Sequence, residues 1–264
     1  MVPTLLGLPY DASSSFLRGA AAAPAAIRAA LGSPSSNMWT ESGHDLGAPG
    51  VLADAGDLTL PPTDEARRLI EAGVRGVVTS GARLLALGGD HSVTYPLMRA
   101  VGPMHPGVTL VQFDAHPDLY DEFEGNRYSH ACPFARILEE RLVGRLVQVG
   151  IRTMNGHQRA QAHKFGVEVI DMRAWSAGDR PAVSGPVYVS LDMDVFDPAF
   201  APGVSHREPG GLSVRDVLSV LETFAGALIG ADVVEYNPSQ DIAGITAPVC
   251  AKLVKELASH MLAR

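Results

Sequence analysis

The chain has 264 residues, of which 46% are hydrophobic and 19% charged, as in a globular protein with a well-filled core. Its formal net charge is -8 and its Lys and Arg residues form no basic stripe, so neither nucleic acid nor an anionic membrane surface is expected as a partner. No apolar run approaches the ~20 residues that span a bilayer. Two cysteines, Cys132 and Cys250, with no signal peptide ahead of them, predict a reducing cytoplasm.

Apolar runs alternate with helical patterns along the whole chain. The runs are apolar on both faces, which predicts an α/β fold with a parallel sheet covered on both sides. No linker or internal repeat interrupts the pattern, so residues 1–264 are expected to form one domain. In chain order the predicted elements are strand 3–8, helix 20–31, loop 33–50, strand 51–55, helix 64–80, strand 84–87, helix 93–101, strand 108–113, helix 133–142, strand 146–150, helix 157–165, strand 167–170, strand 187–191, helix 213–224, strand 228–234 and helix 248–262.

Three short polar clusters each follow a predicted strand. They are Gly88–Ser92 (GGDHS), Asp114–Asp118 (DAHPD) and Ser190–Asp194 (SLDMD). Ligands of parallel sheets bind outside the carboxyl ends of the strands, so the clusters are expected to meet although they lie far apart in sequence. If the chain stays extended in the second cluster, its i, i+2, i+4 spacing places three side chains on one face.

Apart from Asp90, the clusters offer four carboxylates and two imidazoles, a set that suits two divalent metal ions. Carboxylates and imidazoles without cysteine favour Mn²⁺, with Zn²⁺, Fe²⁺ or Ni²⁺ as alternatives. Burying so many like charges without cations would be prohibitive. Asp114 and Asp192, nearest the sheet, are the expected bridges between the ions. A bridged pair lowers the pKa of a shared water, which predicts hydrolysis by a metal-bridging hydroxide. The candidate ligands are His91, Asp114, His116, Asp118, Asp192 and Asp194.

These clusters, with the segments 6–9, 202–212 and 232–238, resemble the ureohydrolase family, which includes arginases and agmatinases. The resemblance covers nearly the whole chain, and residues 118–131 are similar to those of plant-type arginases. It implies the three-layer α/β/α arginase fold, assembled as a homo-oligomer of three or six copies. It also implies hydrolysis of a small guanidino substrate, arginine, to urea and ornithine. Agmatine, which would give putrescine and urea, and other guanidino acids are the alternative substrates.

The resemblance also implies roles for single residues. Glu235 would bind the substrate guanidinium, and His130 would exchange protons with solvent, titrating near neutrality. Asp118 could take the proton of the attacking hydroxide and pass it to the leaving amine, and Asn126 would contact the substrate tail. For the metals, it assigns His91 and Asp118 to one ion, His116 and Asp194 to the other, and Asp114 and Asp192 to both.

One departure from the family pattern concerns substrate choice. Animal-type arginases carry acidic residues after the strand that ends here at Gly150-Ile151-Arg152, where they bind the α-amino group of arginine. This chain has Thr153-Met154-Asn155-Gly156 instead, which keeps agmatine open as a substrate. Two further alternatives are a metal-dependent deacetylase, which would use one zinc ion on a related fold, and a catalytically silent member of the family.

Overall fold

In the computed structural model, which describes residues 1–262, eight strands form one sheet in which all paired neighbours run parallel. The strands are β1 (Pro3–Gly7), β2 (Ala53–Asp57), β3 (Arg83–Leu87), β4 (Thr109–Phe113), β5 (Arg145–Ile151), β6 (Glu168–Asp171), β7 (Val187–Asp192) and β8 (Leu228–Val234). Their order across the sheet is β2-β1-β3-β8-β7-β4-β5-β6. The predicted parallel α/β architecture is therefore confirmed.

Helices cover the sheet on both sides and bury a separate apolar core on each. Alternate residues of β3 point in opposite directions, with Leu85 and Leu87 in one core and Leu84 and Ala86 in the other. The helices are α1 (Ala23–Leu31), α2 (Glu65–Thr79), α3 (Thr94–Val101), α4 (Pro133–Glu139), α5 (Gly156–Phe165), α6 (Met172–Ser176), α7 (Val214–Glu222) and α8 (Thr246–Leu262). The first core also contains residues of α1, α7 and α8, and the second contains residues of α2, α3 and α4.

Several bounds differ from the prediction and one helix was not predicted; three of these differences have a clear physical cause. Strand β2 lies two residues later than predicted, because it is an exposed edge strand that the buried-strand criterion does not fit. The last helix begins at Thr246, where the Asp241 carboxylate accepts the backbone N–H groups of the first turn. Helix α6 was not predicted; it is short and is capped by Asp171, which accepts from two backbone N–H groups. No helix within residues 1–262 is both long and apolar enough to cross a membrane.

Gly89, which follows β3, permits a close approach between two backbone segments. The Tyr10 carbonyl accepts the Asp90 N–H at 2.9 Å, and a Cβ on residue 89 would overlap that carbonyl oxygen. We expect Gly89→Ala to lower the free energy of unfolding by about 3 kcal/mol, measured by denaturant titration, because backbone must move to make room. Gly76→Ala is the matched control: its Cβ meets nothing within 4 Å, so the helix should gain up to about 1 kcal/mol. Equal stability of the two variants would contradict the packing argument.

Candidate metal centre

The four central strands of the sheet, β3-β8-β7-β4, end at one edge and bring the three clusters together. His91 follows β3, Glu235 follows β8, Asp192 ends β7, and Asp114 follows β4. All four side chains are buried, with at most 6% exposed. The sheet topology alone thus places residues that are more than 140 positions apart at one site.

Each cluster is folded by its own first carboxylate rather than by an extended strand. Asp114 Oδ1 accepts the N–H of His116 at 2.6 Å, and Asp192 Oδ1 accepts the N–H of Asp194 at 2.8 Å. Asp90 accepts the N–H of Ser92 in the same way, at 3.1 Å. The second cluster is therefore not extended, and the condition under which its spacing would place three side chains on one face is not met. The chain turns after β4, and Asp118 adopts a left-handed backbone with φ 49°.

His91 forms the buried centre of the first group of possible ligands. Its Nδ1 lies 3.1 Å from an oxygen of Asp114, 3.1 Å from one of Asp118 and 3.0 Å from one of Asp192. This nitrogen is buried and makes no hydrogen bond of accepted geometry to any residue in the described range 1–262. The four ligand atoms lie close enough together to hold one metal ion.

His116 and Asp194 form a second group, which shares Asp114 with the first. His116 Nδ1 lies 2.9 Å from Asp194 Oδ2 and 3.6 Å from Asp114 Oδ1, while Asp114 Oδ2 faces His91. Asp114 thus presents one oxygen to each group. Asp192 belongs only to the first group in this geometry, whereas the family resemblance assigns it to both ions.

The residues of this site fit divalent cations. Burial raises the pKa of Asp192 well above its usual range, and the neighbouring charges of Asp194 and Asp114 raise it further. Cations would offset this repulsion and would use the lone pair of the buried, unbonded His91 Nδ1. Carboxylate oxygens with imidazole nitrogens form a donor set that Mn²⁺ and other first-row divalent ions accept.

A chain of hydrogen bonds fixes which His91 nitrogen faces the carboxylates. Ser190 donates its hydroxyl hydrogen to Asp232 Oδ1 at 2.7 Å. The same hydroxyl lies 2.9 Å from His91 Nε2 and must therefore accept the hydrogen of that nitrogen. When the ring is neutral, Nδ1 is therefore the nitrogen with the lone pair, and it faces the three carboxylates, as metal binding requires.

Asp232→Asn should weaken this orientation and lower metal affinity by about 10- to 100-fold, because the partners of a ligand histidine set its tautomer and basicity. Tyr188 also donates to Asp232, at 3.0 Å, without touching His91. Tyr188→Phe is therefore a control: it removes one hydrogen bond to the Asp232 carboxylate but keeps the hydrogen bonds that connect Asp232 to His91 through Ser190. Competition for Mn²⁺ with a fluorescent chelator would measure both affinities. An unchanged Mn²⁺ affinity in the Asp232→Asn variant would show that this chain of hydrogen bonds does not affect metal binding.

Two buried glutamines hold the turn after β4 in place. Gln112 Nε2 donates to Asp114 Oδ2 at 2.7 Å and to the His116 carbonyl at 3.0 Å. Gln148 Nε2 in turn donates to Gln112 Oε1 and to the Pro117 carbonyl, both at 2.6 Å. Sequence reasoning missed the supporting roles of Gln112, Gln148, Ser190 and Asp232. The available signal was a polar residue inside an otherwise apolar strand.

A cavity of about 280 Å³ opens onto both groups. Its walls contain four of the six predicted ligands, His116, Asp118, Asp192 and Asp194, together with the predicted His130 and Glu235. Asn126 does not line it: this exposed residue accepts the N–H of Tyr128 at 2.8 Å in a turn, so its predicted contact with the substrate is not supported. The lining residues without a predicted role are Ser15, Tyr120, Phe123, Ala131, Thr153, Gln158, His206 and Glu208.

Glu235 and His130 form a buried pair in this cavity. Glu235 Oε1 accepts the His91 N–H at 2.9 Å and lies 3.0 Å from His130 Nδ1, and Glu235 has a left-handed backbone with φ 61°. Burial lowers the pKa of His130, but its hydrogen bond to Glu235 and the charges of Glu235, Asp118 and Asp90 together outweigh this and raise the pKa to about 9. His130 therefore carries its proton at neutral pH, and the expectation that it titrates near neutrality is wrong. Its Nε2 lies 2.8 Å from Ser15 Oγ.

The comparison with protein families agrees with this geometry. Residues 3–259 match the model of the arginase family. The chain belongs to the arginase family. Its fold and the predicted resemblance to ureohydrolases are thereby confirmed. The arginase-family match spans all three clusters and Glu235.

Arginase-family proteins from plants are among the similar sequences and structures. A curated relative, the mitochondrial arginase 1 of Arabidopsis thaliana, is 48% identical over 276 residues, 98% of this chain and 80% of that protein. The solved arginase of Medicago truncatula has a TM-score of 0.94 and 46% identity, and covers 98% of this chain and 87% of that one. The agmatine ureohydrolase of Thermoplasma volcanium is less similar, with a TM-score of 0.85, 32% identity and coverages of 98% and 89%.

The predicted cytoplasmic location is wrong in the light of these relatives. Similar plant arginases are named mitochondrial, or chloroplastic and mitochondrial. Two unpaired cysteines indicate a reducing compartment, and such compartments are not confined to the cytoplasm. Cysteine count therefore could not decide the location.

Proposed function

We propose that this protein hydrolyses arginine to ornithine and urea at the cavity beside Asp114. The observation that carries the proposal is the juxtaposition of two ligand groups, which share Asp114, with the carboxylate of Glu235 in one small cavity. Two metal sites supply hydrolytic chemistry, and a buried carboxylate selects a planar cation. Among solved structures, the similarity to a plant arginase at 46% identity, against 32% for an agmatine ureohydrolase, favours arginine over agmatine.

Two Mn²⁺ ions are the proposed cofactors. His91, Asp118 and Asp192 would hold one ion, His116 and Asp194 the other, and Asp114 would contact both. When bound, such a pair supplies an activated water and stabilises negative charge that develops during hydrolysis. Substrate orientation and proton transfer are assigned to side chains of the protein.

Glu235 is proposed to orient the substrate guanidinium. Its Oε1 is fixed by the His91 backbone and by His130, so the carboxylate cannot turn away from the cavity. A planar guanidinium can donate two N–H groups to a carboxylate, which places its central carbon in a defined position. The cavity then selects guanidino compounds over uncharged amides.

Asp118 and His130 are proposed to move the protons. Asp118 lines the cavity beside the proposed ligand groups, so its carboxylate can accept the proton that the attacking water releases. His130 lines the same cavity and is protonated at neutral pH, so it can donate to the leaving amine. Ser15, which touches the far nitrogen of His130, lies on the path by which that proton is replaced.

A urea-release assay with Mn²⁺ on arginine, agmatine and 4-guanidinobutyrate tests the proposal. We expect the highest kcat/KM with arginine. A preference for agmatine of more than about tenfold would overturn the assignment of arginine and leave the hydrolysis of guanidines standing. Absence of urea with all three substrates would overturn the function itself, as the deacetylase and silent-member alternatives require.

We further propose that residues 1–264 form a single ureohydrolase domain and that it assembles as a trimer or hexamer. One sheet carries both ligand groups, which supports the single domain. Two apolar residues near the start of α8 are exposed, Ile242 to 58% and Ile245 to 48% of its surface. This exposure supports a contact between copies of the chain that would bury them. Light scattering coupled to size exclusion would give the mass; a monomer at micromolar concentration would contradict the assembly.

A further inference from the structure

A second carboxylate, Glu208, lines the open side of the cavity, whereas Glu235 lies in its buried part. Glu235 has 6% of its side chain exposed, whereas Glu208, in the loop after β7, has 40% exposed. Three histidine rings connect them: His206 lies 5.3 Å from His130 and 5.8 Å from His116 between ring centroids. Since His130 contacts Glu235 and His116 Nε2 lies 3.9 Å from Glu208, the two glutamates mark the buried part and the open side of one cavity.

The end of β5 fixes the position of Glu208. Arg152, the residue after β5, donates from Nε and Nη2 to the Glu208 carbonyl at 3.0 and 2.6 Å, and from Nη2 to the Asp194 carbonyl at 2.6 Å. On the far side of the loop, Asp197 accepts the Gly210 N–H at 2.7 Å. Glu208 is therefore held beside segment 153–156, which itself contains no acidic residue.

The charged residues that line the cavity indicate which kind of group Glu208 can bind. Among the described residues that line it, Glu208 is the one carboxylate outside the ligand groups and the Glu235 pair. The same lining residues include no Lys or Arg. Glu208 can thus pair with a cation, and no Lys or Arg among these lining residues offers a partner to an anion.

We propose that Glu208 binds an ammonium group on the tail of the guanidino substrate and so determines specificity. This inference rests on the proposed function and names the substrate class more narrowly: compounds with a guanidinium at one end and an ammonium group at the other. In arginine the partner of Glu208 is the α-ammonium group, and the α-carboxylate faces the solvent. A guanidino compound that ends in a carboxylate alone meets like charge at this position.

Steady-state urea release by the wild type and Glu208→Gln, both loaded with Mn²⁺, tests the assignment. Losing a charge-assisted hydrogen bond should raise KM for arginine and for agmatine about tenfold, with kcat within about threefold. KM for 4-guanidinobutyrate should stay the same or fall. A change in KM of the same size for all three substrates would show a merely structural role and overturn the assignment, as would no change for any.

Two further variants separate the carboxylate from general effects. Glu122→Gln removes the same charge from an exposed position that does not line the cavity, and it should leave the ratios between substrates unchanged. Glu208→Asp keeps the charge and should keep the preference for ammonium tails. If the wild type releases urea but Glu208→Gln has unaltered ratios, only Glu208 is misassigned. If the wild type releases no urea from any of the three, the proposed function fails and the role of Glu208 fails with it.

Discussion

Asp114→Asn should lower urea release from arginine by about three orders of magnitude, since the loss of metal-assisted stabilisation is worth several kcal/mol. Asp114 presents one oxygen to each ligand group, so an amide in its place removes a ligand from one ion. The amide also places an NH₂ group against the Gln112 donor or the His116 N–H, both of which need an acceptor. Bound Mn²⁺ should fall together with kcat, and both can be measured on the same samples.

Asp45→Asn is a matched control for this substitution. Asp45 Oδ1 accepts the Gly47 N–H at 3.0 Å, so its carboxylate also folds a turn, yet it does not line the cavity. We expect Asp45→Asn to retain full activity and metal content. An Asp114→Asn protein that keeps two ions and more than a tenth of the wild-type kcat would contradict the shared role of Asp114.

Glu235→Gln should lower kcat/KM for arginine by about 10²- to 10³-fold, because removing one partner of a buried charge pair costs several kcal/mol. The substitution also removes the charge that raises the pKa of His130 to about 9. If protonated His130 donates to the leaving amine, activity falls as pH rises through the pKa of His130. The alkaline limb of the kcat profile should then move to lower pH in the variant, which a profile from pH 6 to 10 would show.

Glu256→Gln is the corresponding control at a distant buried carboxylate. Glu256 is 6% exposed and accepts from the Glu41 N–H at 3.0 Å and from Lys252 at 2.6 Å, an environment much like that of Glu235. Its loss should reduce stability but leave kcat/KM and the pH profile unchanged. Similar kinetic losses in both variants would mean that Glu235 acts only through the fold.

Local patterns in the sequence were sufficient to predict the sheet and the clusters. Each cluster directly follows an apolar run, and the rule that ligands gather at the carboxyl ends of parallel strands predicts their convergence. The structure places His91, Asp114 and Asp192 together for this reason. The fold is confirmed, and the metal-binding role of these residues stays a prediction.

The parts of the site that come from loops could not be predicted in the same way. The position of Glu208 depends on Arg152, more than 50 residues earlier, and that of Ser15 on His130. The local turn after β4 depends on which backbone N–H group the Asp114 side chain accepts, a choice that spacing alone does not reveal. The high pKa of His130 likewise follows from a contact with Glu235 across 105 residues.

Two divalent ions are expected to bind side by side and to share Asp114. Anomalous diffraction at the manganese edge, from crystals grown with Mn²⁺, would locate them. Two adjacent peaks are expected, one beside Asp114 Oδ2 and His91 Nδ1 and the other beside Asp114 Oδ1 and His116 Nδ1. A single peak, or peaks that Asp114 does not touch, would contradict the claim.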